Sequence, residues 1–205
     1  MTNSISIRWL GHAAYKVSKG ESHIVLDPFA PGSVPGFRDI EETAGLVLCS
    51  HGHHDHSYAD AVALLPQGAP DFTVTTLGTY HDNEQGAKRG PNTVHVLESD
   101  GVRIVHFGDL GCALTEEQIE TLKGADVVLI PVGGFYTIDA AGAKAVLDAI
   151  KPKIAIPMHY RTERFGLPAI GTLDEFLALC ENVTKLNKDT FVVGEVESGV
   201  VVLEY

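Results

Sequence analysis

Apolar positions along this chain fall into short runs broken by turn residues, and the period of each run names an element. Residues 4–10 and 13–18 alternate apolar with polar side chains and flank Gly11, and a further run at 23–26 ends at Asp27-Pro28. Period-two alternation of this kind predicts a small antiparallel meander. Residues 45–49 (GLVLC) are apolar throughout, the pattern of a strand buried on both faces. Comparable strands are predicted at 72–76, 93–97, 102–107, 127–130, 154–156, 191–193 and 200–203. Helix signals lie between them. Thr115 with Gln118 can form a capping box opening 116–122, and Thr172 with Glu175 one opening 173–180. Asp139 can cap the Ala-rich stretch 140–150, which stops at Pro152, and residues 58–65 predict a shorter helix. A strand-rich first part followed by alternating strand and helix predicts an α/β fold: two mixed sheets with helices outside. No repeat, low-complexity tract or linker interrupts the pattern, so residues 1–205 are read as one domain.

Composition narrows the function classes. Fifteen Lys+Arg against 27 Asp+Glu give a net charge of −12 in 205 residues, which argues against a general nucleic-acid binder, whose affinity comes from neutralising phosphates. No apolar run approaches the ~20 residues that span a bilayer. The first residues alternate, lacking the uninterrupted apolar stretch of a signal peptide. The expectation is a cytoplasmic protein that binds neither nucleic acid nor membrane. Cys49, Cys112 and Cys180 are far apart with no CxxC pair, and read as reduced thiols.

The histidines carry the chemistry. Of ten, four fall within six residues: Ser50-His51-Gly52-His53-His54-Asp55-His56, directly after a predicted strand. Imidazole nitrogen and carboxylate oxygen are the usual ligands of zinc and its neighbours, and a divalent cation is what organises so many of them in one turn. The spacing of His51 and His53 lets both converge on one ion, while Asp55 and His56 point to a neighbouring position. One turn cannot complete two coordination shells. His81, Asp109 and His159 each follow a predicted strand, so all three could gather at one edge of a sheet sandwich. Gly108 permits a tight bend before Asp109.

The pattern His51-x-His53-x-Asp55-His56, with Asp27, His81, Gly108-Asp109 and His159 in that order, resembles the metallo-β-lactamase-fold superfamily over nearly the whole chain. Within it, the chain looks most like the small metal-dependent hydrolases related to L-ascorbate-6-phosphate lactonase. Trp9-Leu10-Gly11-His12, Leu26-Asp27-Pro28-Phe29, Arg89-Gly90-Pro91-Asn92-Thr93, His106-Phe107-Gly108-Asp109-Leu110-Gly111, Pro131-Val132-Gly133-Gly134 and Pro157-Met158-His159-Tyr160 carry that narrower similarity. The resemblance implies a four-layer αββα sandwich and two divalent cations, zinc first, with manganese or iron also fitting the ligands. It implies His51, His53 and His81 at one cation, Asp55, His56 and His159 at the other, and Asp109 bridging them. Asp27 would orient a histidine of the cluster from behind. His12 would line the pocket as a substrate contact or proton donor, and Asp55 would also accept a hydrogen bond from the attacking water. Where relatives often carry a histidine, this chain has Cys112, read as buried.

The reaction expected of such a site is attack of activated water on a small ester or lactone, phosphorylated or not, with no protein nucleophile. A phosphodiester is the alternative substrate, and a non-catalytic module folded around its metals the alternative class. Arg89 and Arg161 are candidates for pairing an anionic substrate. A homo-oligomer is compatible with the chain.

Overall fold

The computed structural model describes residues 4–205. The predicted meander forms as β1 (Ser6–Gly11), β2 (Ala14–Lys19) and β3 (Ser22–Leu26), paired antiparallel in that order. Alternation sets their faces. Ile7, Trp9, Tyr15, Val17, Ile24 and Leu26 enter the main core, while Ala14 and Val25 point the other way. After a loop come β4 (Glu42–Ala44) and β5 (Leu46–Leu48), and later β6 (Val62–Leu64). Strand β5 adds parallel to β3, completing a five-stranded sheet with β13 (Thr190–Val192) on its other edge.

A seven-stranded sheet faces the first across the core. It contains β7 (Thr73–Tyr80), β8 (Pro91–Ser99), β9 (Val102–His106), β10 (Val127–Pro131), β11 (Ile154–Met158), β12 (Val183–Lys185) and β14 (Gly199–Val202). Its order is β12-β14-β11-β10-β9-β8-β7, parallel from β12 to β9 and antiparallel beyond. The expected pair of mixed sheets is present. The helices α1 (Glu116–Leu122), α2 (Ala140–Ile150) and α3 (Leu173–Leu177) all lie in crossovers of this sheet. Successive right-handed crossovers in one direction put them on one face, and α2 packs against both α1 and α3. The capping boxes at Thr115 and Thr172 and the Asp139 cap form as expected.

Four local expectations change. Residues 58–65 are not a helix: a single 3-10 turn at Ala59–Ala61 leads into β6, because Val62 gains more by pairing with Glu42 of β4 and packing on Val25 and Ala44. That β4–β6 pair and the loop carrying Phe29, Val34 and Ile40 cover the outer face of the five-stranded sheet, so this layer is not helical among the described residues. Residues 45–49 yield a three-residue edge strand, half-buried rather than buried on both faces, since only β3 pairs with it. Finally, α3 ends at Leu177; bonds from Leu179 N–H to Phe176 O and Cys180 N–H to Leu177 O tighten the chain into a turn toward β12. No helix among the described residues is long and apolar enough to cross a membrane.

Candidate metal centre

Strand direction assembles the site. Strands β1, β3 and β5 run one way in their sheet, and β7, β9 and β11 run one way in theirs. The groups that follow their C-terminal ends are His12 after β1, Asp27 after β3, the 51–56 turn after β5, His81 after β7, Asp109 after β9 and His159 after β11. Ligand sites outside the carboxyl ends of strands are a general feature of such sheets. Asn92, at the start of the oppositely directed β8, meets the same edge: its Oδ1 accepts from Asp109 N–H at 2.9 Å, and its Nδ2 donates to Phe107 O and Thr79 Oγ1.

The residues scattered from 51 to 159 do meet. One ligand atom from each of His51, His53 and His81 lies within 4.8 Å of the others, and the same holds for His12, Asp55, His56 and His159. Asp109 sits between these outer and inner groups. Its Oδ1 is 3.2 Å from His56 Nε2, and its Oδ2 is 3.2 Å from His159 Nε2, 3.3 Å from His81 Nε2 and 4.0 Å from His51 Nε2.

Behind them, Asp27 accepts from His56 Nδ1 at 2.8 Å, from Ser50 N–H at 2.6 Å and from Ser50 Oγ at 2.6 Å. The Ser50 hydroxyl also lies 2.9 Å from His51 Nδ1, so one carboxylate orients a ring in each group, directly for His56 and through Ser50 for His51. Gly108 is required here. Its φ is +54°, and a Cβ would lie 2.3 Å from Ser50 Cβ and 2.6 Å from Asn92 Oδ1. Ser50 and Asn92 had no role assigned from sequence, although one adjoins the cluster and the other opens a strand facing it.

The donor set suits a divalent cation. Among the described residues, eight of the eleven buried side-chain N and O atoms without a hydrogen-bond partner belong to His12, His51, His56, His81, Asp109 and His159. Such atoms cost roughly 1–3 kcal/mol each when left unpaired, so concentrating them at one point makes sense where a cation receives them. Protonation agrees. Burial and the neighbouring His159 lower the His12 pKa to about 4, and burial and His56 lower that of His51 to about 3. Burial also lowers His81, against the pull of Asp109. Burial alone would raise Asp109, but His159 and His56 beside it hold the carboxyl well below the usual range. Neutral rings and ionised carboxylates are what coordination needs. His56 differs: burial would lower it, yet Asp109 and Asp27 on either side raise it well above the ordinary value. The positive charge these carboxylates call for is one that a divalent cation can supply instead.

A cavity of about 640 Å³ opens on the centre, lined by His53, His54, Asp55, His81, Asp109, Arg89, Tyr136, Leu167, Ser33 and Gly52. The Arg89 guanidinium lies 5.5 Å from the Tyr136 ring centroid. Asp82 organises the loop that carries Arg89 by accepting from the N–H groups of Glu84, Gly86, Lys88 and Arg89. Arg161 is not on this wall: its Nε donates to Ile170 O, because it follows the strand end back toward residues 170–172. His12 is also absent from the wall, being fully buried behind His159 with ring centroids 4.0 Å apart. Cys112 joins none of the donor groups and lines an apolar space between α1 and α2, where burial raises its thiol pKa. His106 donates from Nε2 to Ala13 O, and His54 lies outside both groups.

Comparisons with known proteins agree with this arrangement. The family model of the beta-lactamase superfamily domain matches residues 6–159. A UPF0173 metal-dependent hydrolase of Archaeoglobus fulgidus is 33% identical over 196 residues, covering 77% of this chain and 84% of that protein. One from Thermoplasma acidophilum is 30% identical over 217 residues, covering 87% and 96%. A crystal structure from Thermotoga maritima, described as a Zn-dependent hydrolase of the metallo-β-lactamase superfamily, is similar with a TM-score of 0.75 at 30% identity, covering 98% of each chain. The matched span runs from β1 to His159 and so takes in every strand end that feeds the centre: the chain belongs to the metallo-β-lactamase superfamily, in its UPF0173 family of metal-dependent hydrolases.

Proposed function

We propose that this hydrolase opens a small anionic ester or lactone, phosphorylated in the favoured case, with two divalent cations held by the seven side chains His51, His53, Asp55, His56, His81, Asp109 and His159. Zinc is the first choice of metal, with manganese or iron also suited to nitrogen and oxygen donors. The observation that carries the reading is Asp109, whose two oxygens face imidazoles of both donor groups at the wall of a cavity that also holds Arg89. The segments by which the sequence resembles relatives of L-ascorbate-6-phosphate lactonase favour a lactone, and the net charge of −12 favours a small molecule over nucleic acid.

When bound, two such cations supply water of lowered pKa near neutrality and neutralise the oxyanion that develops at the attacked carbonyl. The chain's own residues do the rest. Arg89 pairs the anionic group and fixes which end of the substrate faces the centre. Tyr136 and Leu167 cover the apolar part. Asp55, 23% exposed at its side chain and on the cavity wall, accepts the proton of the attacking water at a carboxylate oxygen. As the acyl C–O bond breaks, that proton passes to the leaving alkoxide, giving a hydroxyl and a carboxylic acid, which releases water's second proton to solvent as it ionises. The test is a panel of lactones, linear esters and phosphodiesters assayed on metal-loaded and chelator-stripped protein. Metal-dependent turnover of phosphorylated lactones or esters is expected. Turnover confined to phosphodiesters, or undiminished after stripping, would overturn the reading.

A further inference from the structure

We infer that His12 is a further protein donor to the inner cation position, beside Asp55, His56 and His159. The inference rests on the metal-centre reading above and goes beyond it in assigning a residue. A ring nitrogen of His12 lies with Asp55, His56 and His159 inside one 4.8 Å group. The ring is fully buried, and neither of its nitrogens has a hydrogen-bond partner. Its complete burial leaves no ring surface for direct contact with a substrate in the cavity.

The backbone fixes where the ring points. His12 has φ +53°, a conformation that costs about 1–3 kcal/mol and persists only where the surroundings impose it. Here Trp9 Nε1 and His159 N–H both donate to His12 O, at 3.0 and 3.3 Å. Gly11, at φ +117°, lets Phe37 pack where a Cβ would stand 2.5 Å from its ring. His159 is itself at φ +54°, so two strained histidines are turned toward one point. A plain hydrogen bond from His12 to Asp55 is the competing account, but Nε2 and Oδ2 are 3.6 Å apart, beyond hydrogen-bond length. The outer group offers three imidazoles, one of them exposed His53 on the cavity wall.

The decisive measurement is NMR of the full chain, labelled with 15N-histidine and loaded with two equivalents of 113Cd2+. One-bond coupling to cadmium on six rings, His12 included, is expected. Five coupled rings with His12 uncoupled would overturn this inference and leave the proposed function standing, whereas no coupled ring would remove both. In a Cd2+ titration, His12→Gln should weaken the tighter equivalent by about 100-fold or more and leave the looser one within about threefold, an effect larger than the 10–100-fold typical of residues behind the ligands. Unchanged binding of both equivalents would also sink it, and because the coupling experiment uses the unaltered sequence, misfolding of the variant cannot shelter the idea.

Discussion

The inner and outer donor groups lie on either side of Asp109 yet differ in how they are built. His12, His56 and His159 are fully buried, two of them at positive φ, with His56 bonded directly to Asp27. The outer group includes exposed His53, and its link to Asp27 runs through the Ser50 hydroxyl. Depth separates them: the rings of one group are locked into the core, two of them at strained backbone positions, whereas the other group includes a ring at the cavity wall.

The sharpest way to break the comparison is to remove what joins the halves. Asp109→Ala should abolish both bound equivalents and lower kcat/KM by about a thousandfold or more, since several kcal/mol of charge stabilisation disappear at once; elemental analysis alongside kinetics checks this. Next in size, His56→Ala should destabilise the fold by about 3–5 kcal/mol, because it strands the buried carboxylates of Asp27 and Asp109. His53→Ala, at an exposed position, should shift stability by no more than about 0.5 kcal/mol while reducing turnover. Urea unfolding of the two variants would contradict the depth argument if they lost equal stability. Asp27→Asn should weaken both equivalents about 10–100-fold, and Ser50→Ala only the outer one, as read by competition with a chelating dye. Smallest, Arg89→Ala should raise KM for an anionic substrate roughly tenfold through loss of a charged hydrogen bond, with kcat little changed; equal loss for a neutral ester would show that Arg89 does not read charge.

The legibility of these parts in the sequence was uneven. The 51–56 cluster and the strand ends bearing His81, Asp109 and His159 were visible because metal donors at a β-strand terminus are a local signal. Caps at Thr115, Asp139 and Thr172 were readable for the same reason. The 58–65 segment was misread as helix because pairing with β4, residues 42–44, lies beyond any local window. Arg161 looked equivalent to Arg89 as a basic residue near a ligand, yet Asp82 ties the Arg89 loop to the cavity while the Ile170 carbonyl holds Arg161 elsewhere. His12 was noticed, but its burial against His159 could not be read from the residues around it.

What the chain's sequence determined by itself is which atoms can bind a cation and which strand each one terminates, because side-chain chemistry and period-two alternation are properties of short stretches. Only the tertiary structure decided how those strand ends divide into a buried and an open group. That division depends on two sheets closing face to face, which turns His12 and His159 inward together and leaves His53 at the cavity wall.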